Sequence, residues 1–135
     1  MVEVVAALIW ADNKFMICQR PAHKARALLW EFVGGKVEPG EGDGVTVERE
    51  MSEEFGVKAV AGKKIASTSF VHNGKECFLN AYLVTLANDG MEAPFSLSEH
   101  SEYKWVSPEE IPVSNFVDSD LKILPDVLSY LEKNK

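Results

Sequence analysis

A glycine-rich segment followed at once by a densely charged one constrains the fold of this chain more than any other feature. The glycine-rich part is GGKVEPGEG, residues 34–42, and the charged part is VTVEREMSEEF, residues 45–55. Three apolar side chains of the charged part recur at helical spacing and form one stripe: Val47, Met51 and Phe55. Three carboxylates fall side by side next to that stripe: Glu50, Glu53 and Glu54. The sequence therefore predicts an amphipathic helix that packs on a core and presents carboxylates from one face.

The crowding of these carboxylates is unfavourable for a helix that has only to be stable. Glu50 and Glu54 are spaced i, i+4, which destabilises a helix by about 0.2–0.5 kcal/mol when both are charged. Acidic side chains near a helix C-terminus also oppose the helix dipole. Hard cations that bridge the carboxylates would remove both penalties, and Mg²⁺ and Mn²⁺ prefer oxygen ligands. We therefore predict a multi-carboxylate metal site, with a solvated acidic face as the alternative; Arg49, spaced i, i+4 to Glu53, is placed to orient that carboxylate.

The rest of the chain alternates strand-like runs with turn signals. VEVVAALIW and FMICQR form a predicted hairpin through ADNK, and a basic loop leads from it to the short strand WEF. GGK followed by EPGEG is predicted to be a tight turn before the helix. The helix has Asp43 available as its N-cap and ends at Gly56. HNGK joins two further long runs, VKAVAGKKIASTSFV and ECFLNAYLVTL, in a second hairpin.

After the second hairpin we expect a loop at ANDGMEAP, a strand at EYKWVS and a turn at SPEEIP. The tail from Asp118 has helical character and contains Pro125, where we expect a break or a restart. This order of elements predicts one mixed sheet with helices packed on it.

The glycine-rich segment and the helix together match a known pattern. Gly35, Glu41 and the run REMSEEFGV fill every defined position of the Nudix box over residues 35–57. QRP before the basic loop, LWEF before GGK and SEHSEYKW downstream resemble the MutT-type branch of that family. The chain is similar to Nudix hydrolases over nearly its whole length. Within them it resembles the CTP pyrophosphohydrolases most closely, followed by the 8-oxo-dGTP diphosphatases.

This resemblance implies an α+β fold of the Nudix type, an α/β/α sandwich in which a mixed sheet carries helices on both faces. It also implies Mg²⁺-dependent hydrolysis, with Mn²⁺ as the other possible cation. In MutT-type enzymes, water attacks a nucleoside triphosphate and releases the monophosphate and pyrophosphate. The metal ligands implied by the resemblance are the Gly34 carbonyl, Glu50, Glu53, Glu54 and Glu99. Glu99 would be either a metal ligand or the general base, and Glu102 competes with it for that role. The alternative for Glu99 is a solvated carboxylate in a loop, without a role in the site.

The resemblance implies supporting roles for further residues of the box. Arg49 would orient Glu53 and so belong to the catalytic set. Glu41 would support the loop and the metal shell. Gly35 and Gly56 would belong to the same loop support.

Substrate contacts are expected at both ends of a nucleotide. Arg20 and Lys36 are the candidates for the phosphates, with a surface cation as the alternative for each. Phe32 is assigned both to the core and to the substrate site. Phe78 lies on a strand that is expected to line the cleft, so it is the candidate for stacking on the base. His23, His72 and His100 show no metal-ligand spacing, and we assign them no catalytic role.

Asp120, with Asp118 as a helper, is expected to meet the edge of the base. In MutT-type enzymes an Asn or Asp just before the last helix has that role, and an N-cap of the helix is the alternative for both residues. An ionised Asp accepts hydrogen bonds and cannot donate them. The expected substrate is therefore CTP, dCTP or a modified pyrimidine nucleotide, or else 8-oxo-dGTP, ahead of GTP.

Composition restricts the partners. The net charge of −7 argues against binding of long nucleic acid, which needs a basic surface, so a small nucleoside triphosphate is the expected partner. No apolar run reaches the ~20 residues of a membrane span, and the N-terminus shows no signal peptide. Cys18 and Cys77 fit buried thiols in a reducing cytoplasm. We expect residues 1–135 to form one cytoplasmic domain, as a monomer or a homodimer.

Two other kinds of function have to be weighed against this one. Hydrolysis of dinucleoside polyphosphates or of ADP-ribose is associated with a Tyr or Pro beyond the box, and VHNGKECF has neither. A non-catalytic nucleotide-binding module would be expected to lose carboxylates of the box, and this chain has lost none.

Overall fold

The computed structural model of the protein describes residues 2–23, 27–87, 95–97 and 100–134. Its strands, in chain order, are β1 (Val2–Ala11), β2 (Lys14–Gln19), β3 (Trp30–Glu31), β4 (Val33–Lys36), β5 (Ala59–His72), β6 (Lys75–Leu86) and β7 (Glu102–Val106). The α-helices of the described part are α1 (Asp43–Phe55) and α2 (Asp118–Lys133), and short 3₁₀ turns cover Pro108–Glu110 and Val113–Asn115. Neither α-helix is long and apolar enough to cross a membrane.

Strand β1 organises the sheet, because other strands flank it on both sides. Residues 4–7 of β1 pair antiparallel with β4, and residues 2–9 pair parallel with β6. The end of β1 forms a hairpin with β2, which in turn pairs with β3 and β7, while β6 pairs with β5. The result is the mixed sheet predicted from the order of elements.

Both predicted hairpins are confirmed, and their turns have the geometry that the sequence demands. Asp12 and Asn13 have φ of 49° and 61°, and Asn73 and Gly74 have φ of 52° and 74°. Positive φ at both central residues is the mark of the type I′ turn, whose twist matches that of the flanking strands.

The two faces of the sheet carry one helix each. Helix α1 buries Val47, Met51 and Phe55 against a cluster that includes Val5, Ile9 and Met16. Helix α2 buries Ile123, Leu124 and Val127 against a cluster on the opposite face that includes Leu8, Phe15 and Leu79. The apolar stripe predicted for the first helix is the buried one, and the α/β/α sandwich is confirmed.

The predicted tight turn is confirmed in the EPGEG part of the glycine-rich segment, but the GGK part is a strand instead. Residues 33–36 form strand β4, in which Gly35 lies opposite Val5 and Gly34 opposite Ala6. The turn comes later, where the backbone N–H of Glu41 donates to the Glu38 carbonyl over 3.0 Å. A two-glycine run signals a turn locally, but here the antiparallel pairing with β1 extends the backbone.

The predicted break near Pro125 is also wrong, because α2 runs without interruption from Asp118 to Lys133. Proline removes one N–H from the helix and so leaves one carbonyl without its usual partner. That carbonyl belongs to Leu121, four residues earlier, and Pro125 itself is exposed. The neighbouring Leu124 and Val127 remain buried, and their packing retains the helix.

The sequence predicted the C-terminal end of α1 correctly but not the residue that caps its N-terminal end. Gly56 closes the helix as predicted, with φ of 66° and its N–H donating to the Ser52 carbonyl over 2.9 Å. At the other end the N-cap is Gly42, without a side-chain cap. Asp43 instead accepts hydrogen bonds from the Tyr82 hydroxyl at 2.6 Å and the Asn80 amide at 3.1 Å. The carboxylate therefore ties the start of α1 to strand β6.

Candidate active site

Two adjacent glycines of β4 allow α1 to approach the sheet closely. A side chain at Gly34 would meet the Val5 carbonyl oxygen of the neighbouring strand. A side chain at Gly35 would meet the carboxylate of Glu50 on α1. The first glycine therefore permits the strand pairing, and the second leaves room for one acidic side chain of the helix.

Arg49 is the centre of a hydrogen-bond network that uses all five of its N–H groups. Its Nε and Nη2 donate to Glu41 at 2.7 and 3.0 Å, and Nη2 also donates to the Lys36 carbonyl at 3.2 Å. Its Nη1 donates to Glu50 at 2.9 Å and to Glu53 at 3.2 Å. The expected orientation of Glu53 by Arg49 is thus present in the geometry, and Glu50 is held in the same way.

Glu41 supports the loop between β4 and α1. Besides Arg49, its carboxylate accepts from the Thr46 hydroxyl at 2.6 Å and from the Glu38 backbone N–H at 3.1 Å. These bonds, led by those from Arg49, lower the pKa of Glu41 from 4.5 to about 2. Glu41 therefore fastens the loop, the first turn of α1 and Arg49 to one another.

A cavity of about 650 Å³, which we call the carboxylate cavity, lies between β4, the following loop and α1. Its lining includes Gly34 and the three acidic residues Glu50, Glu53 and Glu54. Carboxylate and carbonyl oxygens are the donors that hard divalent cations prefer. Within the described ranges, no three His, Cys, Asp or Glu side chains converge closely enough to hold a metal ion. Arg49 draws Glu50 and Glu53 toward itself. The oxygen atoms of Gly34, Glu50, Glu53 and Glu54 are therefore of the kind that binds a divalent cation, but they are not already arranged around one point.

A second cavity, of about 340 Å³, has mostly apolar walls and is called the apolar cavity here. Its walls include Val4, Phe32, Phe70, Leu79 and Val117. Gly34, Gly35, Lys36 and Glu54 border both cavities. The apolar cavity and the carboxylate cavity are therefore neighbours that meet at β4 and at the end of α1.

Asp120 lies at the apolar cavity, where the sequence predicted a contact to a base. It is only 7% exposed, and its Oδ2 accepts the backbone N–H of Phe32 over 3.0 Å. The N-cap of α2 is Val117, with no side-chain cap, so the capping alternative is wrong for Asp120 and for Asp118. Asp118 is exposed and is absent from the lining of the apolar cavity, so the helper role expected for it is not supported.

The prediction that Phe78 lines the cleft is wrong. Successive residues of a strand point to opposite faces of the sheet. On β6, Cys77 and Leu79 border the apolar cavity, and Phe78 between them does not. The aromatic side chains at this cavity are instead Phe70, on β5, and Phe32, which is 2% exposed.

The two predicted phosphate contacts lie at the apolar cavity, and Lys36 also borders the carboxylate cavity. Lys36 is exposed. Arg20 forms an ion pair with Glu31 at 3.3 Å. Lys36 therefore sits where the two cavities meet, while Arg20 is engaged by a carboxylate of the cavity wall.

Glu31 and His100 are residues of the site that the sequence analysis missed. Both border the apolar cavity, and the imidazole Nε2 of His100 lies 2.8 Å from Glu31 Oε2. Two positions in the sequence could have indicated that these residues belong to the site. Glu31 is next to Phe32, and His100 is next to Glu99.

Of the two competitors for the additional acidic role, Glu99 lies outside the described residues. Glu102 is the first residue of β7, is exposed, and borders neither cavity. Glu102 therefore lies outside the lining of both cavities.

The chain is similar to known proteins in both sequence and structure. The family model described as NUDIX domain matches residues 1–127. The CTP pyrophosphohydrolase of Escherichia coli (strain K12) is 39% identical over 124 residues, which cover 92% of this chain and 89% of that protein. The 8-oxo-dGTP diphosphatase of Buchnera aphidicola subsp. Schizaphis graminum (strain Sg) is 27% identical over 124 residues, which cover 92% of this chain and 91% of that protein. The solution structure of the E. coli ORF135 protein has a TM-score of 0.81 at 36% identity, covering 96% of this chain and 89% of that one.

Proposed function

The chain belongs to the NUDIX family of hydrolases, and on that premise we propose that it is a Mg²⁺-dependent nucleoside triphosphate pyrophosphohydrolase. The preferred substrate would be CTP, dCTP or a modified pyrimidine nucleotide, and the products would be the nucleoside monophosphate and pyrophosphate. Hydrolases of this family generally use divalent metal ions; Mg²⁺ is our specific choice, and Mn²⁺ would have the same oxygen ligands. We further propose that residues 1–135 act as one cytoplasmic domain.

The observation that carries this proposal is the junction of two chemically different cavities. The apolar cavity offers walls suited to a flat base, and the carboxylate cavity offers oxygen donors for cations that accompany phosphates. Gly34, Gly35 and Lys36 border both. A nucleotide with its base in the first cavity would extend its phosphates along β4 into the second.

The residues of the carboxylate cavity have separate tasks in this mechanism. Glu50, Glu53 and Glu54, with the Gly34 carbonyl, would hold Mg²⁺, whose chemistry is to neutralise the triphosphate and to lower the pKa of a water molecule. Arg49 fixes the direction of Glu50 and Glu53 through the bonds at 2.9 and 3.2 Å. A carboxylate of this set, or Glu99, would accept the proton of the attacking water.

Asp120 supports the choice of base. In its ionised form the buried Asp120 carboxylate can only accept hydrogen bonds, so it would favour a base that presents N–H groups. The amino group of cytosine does so at its pairing edge. The additional N7–H of 8-oxoguanine does so too, which makes 8-oxo-dGTP the second candidate substrate. Ordinary guanine has donors at N1 and N2, but its N7–O6 edge presents only acceptors and, turned toward Asp120, would leave a buried acceptor unpaired, at a cost of about 1–3 kcal/mol.

A panel of nucleotides tests the proposal directly. Pyrophosphate and monophosphate release would be measured with Mg²⁺ for CTP, dCTP, UTP, GTP, dGTP, 8-oxo-dGTP, ADP-ribose and a dinucleoside tetraphosphate. We expect the fastest hydrolysis for the cytosine nucleotides. Hydrolysis of ADP-ribose or the dinucleotide alone would assign the chain to another substrate class, and binding without any hydrolysis would make it a non-catalytic module.

A further inference from the structure

His100 is buried at the boundary of the apolar cavity and is fastened by two contacts. Its side chain is 6% exposed. Its ring stacks on Phe55, the last residue of α1, with centroids 5.9 Å apart and planes 12° from parallel. Its Nε2 lies 2.8 Å from Glu31 Oε2. Because a carboxylate only accepts, Nε2 carries the hydrogen of this bond.

The other ring nitrogen makes no competing contact within the described part of the chain. Nδ1 of His100 is buried and has no hydrogen-bond partner among the residues that the structure describes. The bond to Glu31 is therefore the polar contact that this buried imidazole makes there. A ring held by stacking on one side and by a carboxylate at its tip has little freedom to rotate.

Glu31 is held by two side chains in the wall of the apolar cavity. Arg20 Nη1 donates to its Oε2 at 3.3 Å and its Oε1 at 3.4 Å, and Oε2 is also the oxygen that the shorter bond from His100 reaches. The Glu31 side chain is 17% exposed, and both it and Asp120 border this cavity. Glu54 borders the same cavity where it meets the carboxylate cavity, so three carboxylates line it, and a ligand seated there must offer hydrogen-bond donors to match them.

We propose that His100 is a positioning residue for base recognition: by fixing the Glu31 carboxylate, it supplies the apolar cavity with a second acceptor that selects bases bearing an amino group. This inference rests on the proposed function, since it takes the occupant of the cavity to be a nucleobase. His100 acts through Glu31 and makes no contact with the reacting phosphates.

Two substitutions separate the parts of the His100 contact. His100→Phe retains a ring that can stack on Phe55 but removes the donor to Glu31. His100→Gln removes the ring but retains a side-chain N–H at a similar reach. Glu31→Gln and the combined Glu31→Gln/His100→Phe variant complete a double-mutant cycle. His23→Gln, in an exposed turn away from both cavities, is the matched control.

Binding would be measured by calorimetry with the α,β-methylene analogues of CTP and UTP, which differ at the base and resist cleavage between the α and β phosphorus atoms. In the wild-type protein we expect tighter binding of the CTP analogue. In His100→Phe that preference should shrink about tenfold while the melting temperature stays near the wild-type value. His100→Gln should restore part of the preference, and His100→Phe should add nothing further in the Glu31→Gln background.

The outcomes distinguish this inference from the function on which it rests. Equal losses of affinity for both analogues would show a merely structural role and overturn the inference, as would full additivity of the two substitutions. If the wild-type protein bound neither analogue, the proposed function and this inference would fail together. If it bound the CTP analogue preferentially and His100→Phe kept that preference, the inference alone would be wrong.

Discussion

At the scale of single residues, the three carboxylates of α1 are not equivalent. The Glu50 side chain is 15% exposed and lies against Gly35, whereas the Glu53 side chain is 62% exposed and reaches into the carboxylate cavity. Both are held by the same nitrogen of Arg49. Glu53 is therefore the carboxylate that can be changed with the least disturbance to packing, which makes it the best probe of chemistry.

Replacing Glu53 with Gln should lower turnover by roughly 10²–10⁴-fold at saturating Mg²⁺, because it keeps the shape but removes the charge that, in the proposed mechanism, binds a cation or accepts a proton. Steady-state pyrophosphate release measures the change, and circular dichroism checks that the fold is intact. Glu48→Gln is the matched control, since Glu48 is an exposed acidic residue of the same helix outside both cavities. Near-normal turnover of Glu53→Gln would remove Glu53 from the site.

Asp120→Asn should reduce the preference for CTP over GTP by about tenfold. The amide oxygen can still accept the Phe32 N–H, while the amide nitrogen adds donors that suit the acceptors of guanine. Asp120→Ala would also remove the Phe32 contact, so it is the less specific variant. The measurement is kcat/KM for each nucleotide. A wild-type enzyme that prefers GTP, or an unchanged ranking in Asp120→Asn, would contradict this account of base selection.

At the scale of elements, the features set by local periodicity are predictable from sequence. The apolar stripe of α1 and the two hairpins depend on residues close together in the chain. The repeat of Val47, Met51 and Phe55 identifies the stripe, and turn residues such as Asn73 and Gly74 identify the hairpins. Two of the failures, at GGK and at Phe78, concern pairing between distant segments, and a third, at Pro125, concerns packing of α2 against the sheet. The strand character of GGK depends on β1, and the face on which Phe78 lies depends on how β6 is placed between β1 and β5.

The candidate site was likewise predictable only where its residues lie close together in the chain. The acidic residues and Arg49 belong to one helix, so their clustering follows from spacing alone. His100 could not be placed in advance, because its partners come from separate elements: Phe55 ends α1 and Glu31 belongs to β3. Only the folded chain brings residues 31, 55 and 100 together.

The junction of β4 and α1 gives a prediction at this scale. Gly35→Ala should leave the fold intact, because the added methyl group meets a side-chain carboxylate that can move, but it should displace Glu50. We expect Mn²⁺ binding, followed by electron paramagnetic resonance, to weaken by roughly 10–100-fold, as when groups that support a metal ligand are altered. Gly42→Ala, which has open space around the added methyl group, is the control. Equal Mn²⁺ affinity in both variants would contradict the prediction.

At the scale of the whole molecule, the Glu41–Arg49 network links stability to pH. The folded-state pKa of Glu41 is about 2, below its ordinary value of 4.5, so the folded protein binds this proton less readily than the unfolded chain. The stabilisation is therefore fully present above about pH 4.5 and is lost as the pH falls toward 2.

Glu41→Gln should consequently be less stable than the wild-type protein at pH 7, and the difference should narrow as the pH falls from about 4.5 toward 2. Urea unfolding of both proteins at several pH values measures it. Glu132→Gln, an exposed acidic change in α2, serves for comparison. A difference that stayed constant down to pH 2 would show that the Glu41 contacts do not depend on its charge.

The two glycines of β4 also bear on how such a chain could change during evolution. The nearest neighbour of Gly34 is a backbone carbonyl, which cannot move without disturbing the sheet, whereas the nearest atoms to Gly35 belong to the side chain of Glu50. A lineage could therefore accept a larger residue at position 35, lose its chemistry and keep its architecture. The same change at position 34 would threaten both. After gene duplication, a copy could keep the fold and bind nucleotides without hydrolysing them. In such a copy we expect position 35 to change first, because folding alone does not require glycine there.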